Sequence, residues 1–235
     1  MKGIKKNLDI IHIVGKGASW GNAPSVWSRE HPDTEEVWGL NNMFLNHKNL
    51  DRLFLMHDPR QELIFEDRDF FVKARELTIP IYTATKYSVL GDNNEVYPTE
   101  EVINAYPIVY YTNVVCWMLA LAILLDPKKI IYHGIDMAIA VEYDNERGAV
   151  EFWTGVAIGR GITVDIPQTS KVCTTESKWG VMYGYIAMVA KNGLIRDWEP
   201  DYRGFNKPDI LERYELVPRT ESITLGDAVQ VIERR

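Results

Sequence analysis

The feature of this sequence that most constrains its fold is a series of short apolar runs separated by segments long enough to form helices. The runs are rich in β-branched residues, which is typical of strands that are buried on both faces. Strands that alternate with helices in this way form parallel sheets with right-handed crossovers. The predicted strands are residues 8–14, 37–40, 53–56, 79–82, 129–135 and 162–166.

Helices are predicted between these strands. Residues 60–77 have the mixed charge and apolar spacing of an amphipathic surface helix. The run VVCWMLALAILL, residues 114–125, is apolar all round, which indicates a buried helix. Thr112 and Asn113 are suitable N-caps for it, and Pro127 ends it. Other helices are expected after the first strand as far as about residue 31, over 149–158 and near 181–191, and an exposed loop is expected over 88–98.

The pattern therefore predicts an α/β fold, a Rossmann-like open and mostly parallel sheet with helices on both faces. We expect residues 1–235 to form a single α/β domain, with a less regular C-terminal segment from about residue 168. Open sheets of this kind bind ligands beyond the carboxyl ends of their strands. Candidate functional residues are therefore sought at the strand ends.

Composition excludes several classes of protein. With 46% hydrophobic and 25% charged residues, the chain is typical of globular proteins. Cys116 and Cys173 have no paired spacing, which argues against a zinc site or a disulfide scaffold and favours the cytoplasm. No signal peptide is apparent, and the longest apolar run is too short to span a bilayer. The net charge of −7 disfavours duplex nucleic acid as a partner, although it does not exclude duplex nucleic acid as an acceptor. The composition does not decide whether the chain forms a homo-oligomer.

The first candidate site is the glycine turn GKGASW, residues 15–20, between the first strand and a helix. Such a turn brings free backbone N–H groups to one anion-sized position, which suits a phosphate. Trp20 stands where the dinucleotide fingerprint has its third glycine, and Asn41 and Asn42 stand where an NAD site has an acidic residue. A nicotinamide dehydrogenase and a Walker-type ATPase are therefore both disfavoured. The alternative is a tight structural turn.

Polar residues also follow the next two strands. Asn41 and Asn42 can donate and accept hydrogen bonds in one plane, as recognition of a base or ribose requires, but asparagine also forms left-handed turns. His57 and Asp58 pair an imidazole with a carboxylate and are the leading acid/base candidates. A capped turn before Pro59 is the structural alternative.

A third group follows the strand at residues 129–135. Asp136 and Glu142 could act as a base or hold Mg²⁺, whereas Asp144 and Glu146 are interpreted as part of a solvated loop. No metal site is assigned. His133 is interpreted as a core histidine, and His12 and His47 give no signal.

Three segments together suggest a family: IVGKGASW at 13–20, the strand that ends at Asn41, and TNVVCWMLALAILLDPKKIIYHGIDM at 112–137. They resemble the bacterial sialyltransferase-like fold, a group that includes the motility accessory and hydroxymethylpterin diphosphokinase-like proteins. The likeness covers about residues 8–140. The whole chain also resembles small uncharacterised phage-encoded proteins, which would place it in the host cytoplasm.

The resemblance implies roles for particular residues. Gly15, Gly17 and Ser19 would contact the nucleotide phosphates or ribose, with Lys16 and Trp20 in the same turn. Asn41 would hold the nucleotide, and Thr112-Asn113 would meet its base or phosphate. The chain departs from the family pattern at Ala18, which replaces a proline, and at Asn113-Val114, which replaces Ser-Gly. It also has no histidine after His133, so it resembles the nucleotide-binding half of the sialyltransferases better than their catalytic half.

These features lead to several hypotheses. The first is a nucleotide- or nucleotide-sugar-dependent transferase in which His57 or Asp136 deprotonates the acceptor. A related version is phosphoryl or pyrophosphoryl transfer with Mg²⁺ held by Asp58, Asp136 or Glu142. The alternatives are a phage protein that sequesters a nucleotide without turnover, and an interaction module that retains a degenerate nucleotide fold.

Overall fold

The structure is a computed structural model. It describes residues 7–24, 31–57, 69–138, 145–167, 169–173, 185–190 and 214–218. The chain divides into two compact units, Met1–Val172 and Cys173–Arg235.

In the described part of the first unit, seven strands form one sheet in the order β5-β4-β3-β2-β1-β6-β7. Every neighbouring pair is parallel. This confirms the predicted open, Rossmann-like α/β fold. The strands are β1 (Ile10–Val14), β2 (Glu35–Leu40), β3 (Arg52–Phe54), β4 (Ile81–Thr83), β5 (Asn94–Val96), β6 (Lys129–His133) and β7 (Thr163–Asp165).

Four α-helices lie in the described part of this unit, together with three short 3₁₀ turns. The helices are α1 (Asp69–Arg75), α2 (Thr99–Ala105), α3 (Val114–Leu125) and α4 (Arg147–Gly159). The 3₁₀ turns are Ala18–Asn22, Asn41–Leu45 and Ser88–Leu90. No helix among the described residues is long and apolar enough to cross a membrane.

Helix α3 forms where the sequence predicts it, and its ends explain why. The Asn113 side chain accepts a hydrogen bond from the Cys116 N–H, so it caps the first turn. Asp126 adopts a left-handed conformation, with φ +56°, which stops the helix directly before Pro127. Between these ends α3 packs against β1 and α4, and most of its side chains are buried. An all-apolar helix is therefore stabilised by burial on every side.

Strand β1 lies at the topological switch of the sheet. It pairs with β2 on one side and with β6 on the other. The chain therefore leaves β1 toward one edge of the sheet and later returns to β6 on the opposite side. This topology opens a crevice beyond the carboxyl ends of β1 and β6.

The prediction of an exposed loop over 88–98 is wrong. That segment contains the turn Ser88–Leu90 and strand β5, and Leu90 and Asn94 are fully buried. The Asn94 amide donates to the Ile81 carbonyl at 3.0 Å and accepts from the Tyr87 N–H at 2.6 Å. Because these bonds satisfy the polar side chain inside the protein, a sequence rich in Gly, Asp and Asn still forms an edge strand. Helix α2, which follows, was not predicted.

The helix predicted near 181–191 is also wrong. Tyr185–Ala190 forms strand β8, which pairs antiparallel with β9, Tyr214–Pro218. Pairing with a strand so distant in the chain overrides local helical periodicity. Of the predicted helix over 60–77, the described part that is helical is α1, and residues 58–68 lie outside the described residues. The helix predicted after the first strand is a 3₁₀ turn in its described part.

Candidate functional site

A cavity of about 450 Å³ lies at the carboxyl ends of the central strands. Residues that directly follow β1 and β6 line it, as does Asn41 at the end of β2. A volume of this size is typical of small-molecule sites. The lining residues are Gly15, Lys16, Gly17, Leu40, Asn41, His57, Thr112, Asn113, Val114, Val115, Gly134, Ile135, Asp136, Met137, Ala138 and Glu146.

The glycine turn lies directly against the chain that leaves β6. The Gly15 N–H donates to the His133 carbonyl at 2.7 Å, and the Gly17 N–H donates to the Gly134 carbonyl at 2.8 Å. A Cβ atom on Gly15 would lie 2.5 Å from the Gly134 oxygen. Glycine is therefore required here for the two segments to approach each other. Two of the N–H groups predicted to face a phosphate instead bind the protein's own carbonyls.

Asp136 joins the glycine turn to the segment at residues 169–171. Its Oδ2 accepts from the Ala18 N–H at 2.8 Å, and its Oδ1 accepts from the Thr169 hydroxyl at 3.1 Å. Its main-chain carbonyl accepts from the Lys171 N–H at 2.7 Å. A Cβ atom on Gly17 would collide with the Asp136 carboxylate. The bonds from Ala18 and Thr169 mean that both carboxylate oxygens of Asp136 accept hydrogen bonds from the protein.

Ser19 and Trp20 do not line the cavity. The Ser19 hydroxyl is buried and accepts from the Gly134 N–H at 2.7 Å, which fixes the left-handed Gly134 beside the turn. Trp20 packs against the hydrophobic cluster that includes Met43 and Leu53. The nucleotide contacts implied for these two residues by the family resemblance remain predictions.

The sequence suggested a structural turn or contact with a ligand as alternatives for Asn41, and the ligand contact remains a prediction. Asn41 adopts a left-handed conformation, with φ +49°, and it lines the cavity. Its Oδ1 is buried and has no hydrogen-bond partner among the described residues. A buried amide oxygen without a partner is costly unless a ligand or water donates to it. The neighbouring Asn42 also has a buried Oδ1 with no described partner, but it does not line the cavity.

Thr112, Asn113 and Glu146 form the wall on the side of α3 and α4. Thr112 is exposed, whereas Asn113 uses its Oδ1 to cap α3 and its Nδ2 to donate to Glu146 Oε2 at 3.0 Å. The sequence predicts that Glu146 belongs to a solvated loop, but the structure places it in the wall of the cavity. The contact with Asn113 brings together residues 33 positions apart, and no sequence pattern reports it.

Two exposed residues complete the lining. Lys16 and His57 follow β1 and β3, and both are solvent-exposed. Asp58 and Glu142 lie outside the described residues, so their predicted roles remain predictions. Within the described part of the chain, no cluster of three or more His, Cys, Asp or Glu side chains could hold a metal ion. The predicted site residues that the structure brings together are Gly15, Lys16, Gly17, Asn41, His57, Thr112, Asn113 and Asp136.

A histidine pair lies inside the sheet, outside the lining of the cavity. His12 Nδ1 is 3.0 Å from His133 Nε2, and His12 Nε2 is 3.2 Å from Glu35 Oε2. Neutral rings satisfy both contacts when His133 donates to His12 and His12 donates to Glu35. Burial lowers the pKa of His12, and burial together with the neighbouring His12 lowers the pKa of His133 to about 4. His133 is buried as predicted, and sequence reasoning missed its partner.

A buried ion pair links β2 and β3 in the same sheet. Arg52 donates to both carboxylate oxygens of Glu36, at 2.6 and 2.8 Å, and to the Tyr82 hydroxyl at 2.9 Å. The Trp38 indole also donates to Glu36, at 2.7 Å. Hydrogen bonding and the charge of Glu36 raise the pKa of Arg52 against the opposing effect of burial. This network is structural, and no pattern in the sequence predicts it.

Comparison with known proteins finds distant structural likeness only. No family model and no curated protein matches the sequence. Three structures of the sialyltransferase CstII from Campylobacter jejuni are similar to the chain. The complex with the substrate analogue cytidine-5'-monophosphate has 17% identity, covers 67% of this chain and 78% of that one, and has a TM-score of 0.37. The complex with CMP-3FNeuAc has 15% identity, covers 66% of this chain and 78% of that one, and has a TM-score of 0.36. The complex with a trisaccharide acceptor and CMP has 15% identity, covers 66% of this chain and 79% of that one, and has a TM-score of 0.37. At such values the function has to be inferred from this chain's own cavity.

Proposed function

We propose that this protein is a nucleotide-sugar-dependent transferase of the glycosyltransferase-like kind, and that the nucleotide binds in the cavity beyond β1, β2 and β6. The observation that carries the proposal is the position of Asn41. It lines a cavity at the switch point of a parallel sheet, and its buried Oδ1 lacks a described partner. A ligand N–H or O–H, such as those of a base or ribose, would satisfy that oxygen.

The remaining lining residues suit the other parts of such a ligand. Lys16 is the one Lys or Arg among the described residues that line the cavity, and its ammonium group can balance the charge of a phosphate. Val114 and Val115 add apolar surface beside the polar groups. A mixture of apolar walls and a few polar groups is typical of cofactor and substrate pockets.

His57 is the residue we assign to proton transfer. In the reaction, an acceptor hydroxyl attacks the anomeric carbon of the sugar, a new C–O bond forms, and the bond from the sugar to the phosphate oxygen breaks. The hydroxyl proton passes to His57, and the nucleotide leaves with the bonding electrons. Asp136 is a weaker candidate for the base because both of its oxygens already accept hydrogen bonds.

Magnesium remains a prediction that is separate from this reaction. Of the three predicted carboxylate ligands, Asp58 and Glu142 lie outside the described residues, and Asp136 is engaged by Ala18 and Thr169. The described residues do not provide a suitable set of ligands for Mg²⁺, so the proposed reaction does not depend on the ion.

The test combines binding and turnover. Native mass spectrometry and calorimetry with a panel of nucleotides and nucleotide sugars would identify the ligand. Asn41→Gly keeps the left-handed backbone and removes the side-chain amide. We therefore expect the affinity of this variant for the nucleotide ligand to be about tenfold lower than that of the wild type. Asn42→Ala is the matched control, since it removes an amide next door that does not line the cavity. His57→Gln should bind normally but turn over at least about 100-fold more slowly.

Three outcomes contradict parts of the proposal. Binding of a free nucleotide with no turnover of any nucleotide sugar would favour the sequestering alternative. Equal losses in Asn41→Gly and Asn42→Ala would remove the role of Asn41. No binding across the whole panel would refute a nucleotide site.

A further inference from the structure

We propose that Glu146 determines which class of sugar the cavity accepts, because its carboxylate presents an oxygen that the described residues leave without a partner. The cavity then favours a nucleotide sugar whose sugar is neutral or carries an amine, and disfavours one whose sugar carries a carboxylate. This inference rests on the proposed function and adds to it the class of the donor sugar.

The first argument is the state of the Glu146 carboxylate. Glu146 lines the cavity directly before α4, and its Oε2 accepts from Asn113 Nδ2 at 3.0 Å. Its Oε1 has no hydrogen-bond partner among the described residues. Asp136, the other carboxylate in the described lining, differs because both of its oxygens accept from the protein. Glu146 is therefore the carboxylate that is available to a ligand.

The second argument is that Asn113 positions this carboxylate. The Oδ1 of Asn113 accepts from the Cys116 N–H at 3.1 Å and caps α3. This bond fixes the orientation of the amide, so that its Nδ2 faces Glu146. Turning the amide over would remove the cap and leave two acceptors facing each other. A ligand therefore meets a carboxylate that the protein already holds in the wall.

The third argument is the balance of charge. Among the described residues that line the cavity, the carboxylates are Asp136 and Glu146, and Lys16 is the one Lys or Arg. The ammonium group of Lys16 can balance charge on the phosphate. A carboxylate on the sugar would add a negative charge for which the described lining has no second Lys or Arg. Like charges brought together in a binding site weaken binding.

The fourth argument is the kind of hydrogen bond that the lining offers. Glu146 Oε1 and the buried Asn41 Oδ1 are acceptors that have no described partner. Hydroxyl and amine groups can donate to such oxygens, whereas an ionised carboxylate has no proton to donate. A sugar that bears hydroxyl or amine groups can therefore satisfy these atoms, and a carboxylate in the same place cannot.

The experiment compares matched pairs of nucleotide sugars by calorimetry on the full chain, with and without Mg²⁺. Within a pair the nucleotide is the same, and glucose or mannose is compared with the corresponding uronic acid, for uridine, thymidine, adenosine and guanosine. For cytidine, CMP is compared with CMP-sialic acid. In the wild type, we expect the member without a sugar carboxylate to bind at least about tenfold more tightly.

Glu146→Gln removes the charge, keeps the size of the side chain and retains an oxygen that can accept from Asn113. The preference within each pair that binds should therefore fall about tenfold in this variant. Glu151→Gln is the matched control, because it removes the same charge from α4 at a residue that pairs with Arg147 and does not line the cavity. It should keep the preference found in the wild type.

If Glu146→Gln does not fold, salt provides the second measurement on the wild type. Screening should narrow the difference in affinity within each pair as ionic strength rises. A difference that does not change with salt would contradict an electrostatic origin and overturn the inference.

The results separate failure of this inference from failure of the proposed function. A wild type that binds the acidic member at least as tightly as its partner would overturn the inference and leave the nucleotide site in place. An unchanged preference in Glu146→Gln, or an equal change in Glu151→Gln, would do the same. If no nucleotide sugar binds to the wild type, the proposed function is refuted, and the inference with it.

Discussion

The polar groups inside the sheet and those at its carboxyl edge differ in how fully the protein satisfies them. Inside the sheet, the buried Glu36 and Arg52 bind each other, and Tyr82 and Trp38 complete the network. At the carboxyl edge, the Oδ1 of Asn41 has no described partner and Lys16 is exposed. Both regions contain charged residues on parallel strands or directly after them. They differ in which polar groups remain available to bind a ligand.

This difference separates structural residues from candidate ligand-binding residues better than residue type does. A buried charge that is fully paired holds strands together, because breaking the pair would leave the other charge uncompensated. A polar atom left without a partner beside a cavity is suited to binding. Asp136 shows that the distinction applies within the edge itself, since it lines the cavity but is already satisfied by the protein.

The largest expected effect comes from breaking the ion pair inside the sheet. Arg52→Met should lower the free energy of unfolding by about 3–5 kcal/mol, because Glu36 would remain buried without its partner. Urea denaturation measures the loss. The double variant Glu36→Gln with Arg52→Met should lose much less, since it leaves no buried charge. A double variant as unstable as the single one would contradict the assignment of the loss to the orphaned charge.

The next effect is a dependence of stability on pH that originates inside the sheet. The folded protein holds the pKa of His133 at about 4, below the ordinary value of 6.5, so the unfolded chain binds more protons between these pH values. Stability should therefore fall as the pH falls from about 6.5 to 4, by up to about 3 kcal/mol. His12 has a pKa shifted in the same direction and adds to the loss.

Unfolding in urea at a series of pH values measures this dependence. The groups that act on His133 are His12, His47 and Asp165, and Glu35, His31 and Lys129 act on His12. His133→Gln should reduce the slope of stability against pH. An equal slope in the wild type and His133→Gln would remove the histidine pair as its source.

The smallest effect lies where the two regions meet. Asn113 lines the cavity and also caps α3, so Asn113→Ala should cost about 1 kcal/mol of stability. Asn113→Ser retains a capping oxygen but cannot reach Glu146 as the amide does, so it should recover most of the loss. Thermal or urea unfolding distinguishes them. Equal losses in the two variants would assign the stability to the Glu146 contact instead.

Much of the sheet could be predicted because its strands are buried on both faces. In β1, β2 and β6 the apolar runs are long enough to identify, and the predicted ends fall close to the observed ones. The buried helix α3 was predicted because Asn113 and Pro127 mark its ends. Strand β5 could not be predicted in this way, since Asn94 is stabilised by bonds to Ile81 and Tyr87 that form only in the folded chain.

The candidate site was predicted in its location and not in its contacts. Strand ends gave Lys16, Asn41, His57 and Asp136 as residues of one edge, and the structure brings all four to one cavity. Their hydrogen bonds could not be read from spacing. Asp136 contacts Ala18 across 118 positions of the chain, and a local pattern contains no information about such a pair.

The sequence by itself determined the alternation of strands and helices, the buried helix α3 and the edge of the sheet where polar residues collect. These follow from local periodicity, end caps and the burial of apolar runs, which neighbouring residues specify. The tertiary structure alone decided which polar groups are satisfied. It pairs Glu36 with Arg52 and His12 with His133, binds Asp136 to the glycine turn, and leaves the Asn41 amide oxygen without a described partner. Hydrogen-bond satisfaction depends on atoms brought together from distant parts of the chain, so it exists only once the sheet has formed.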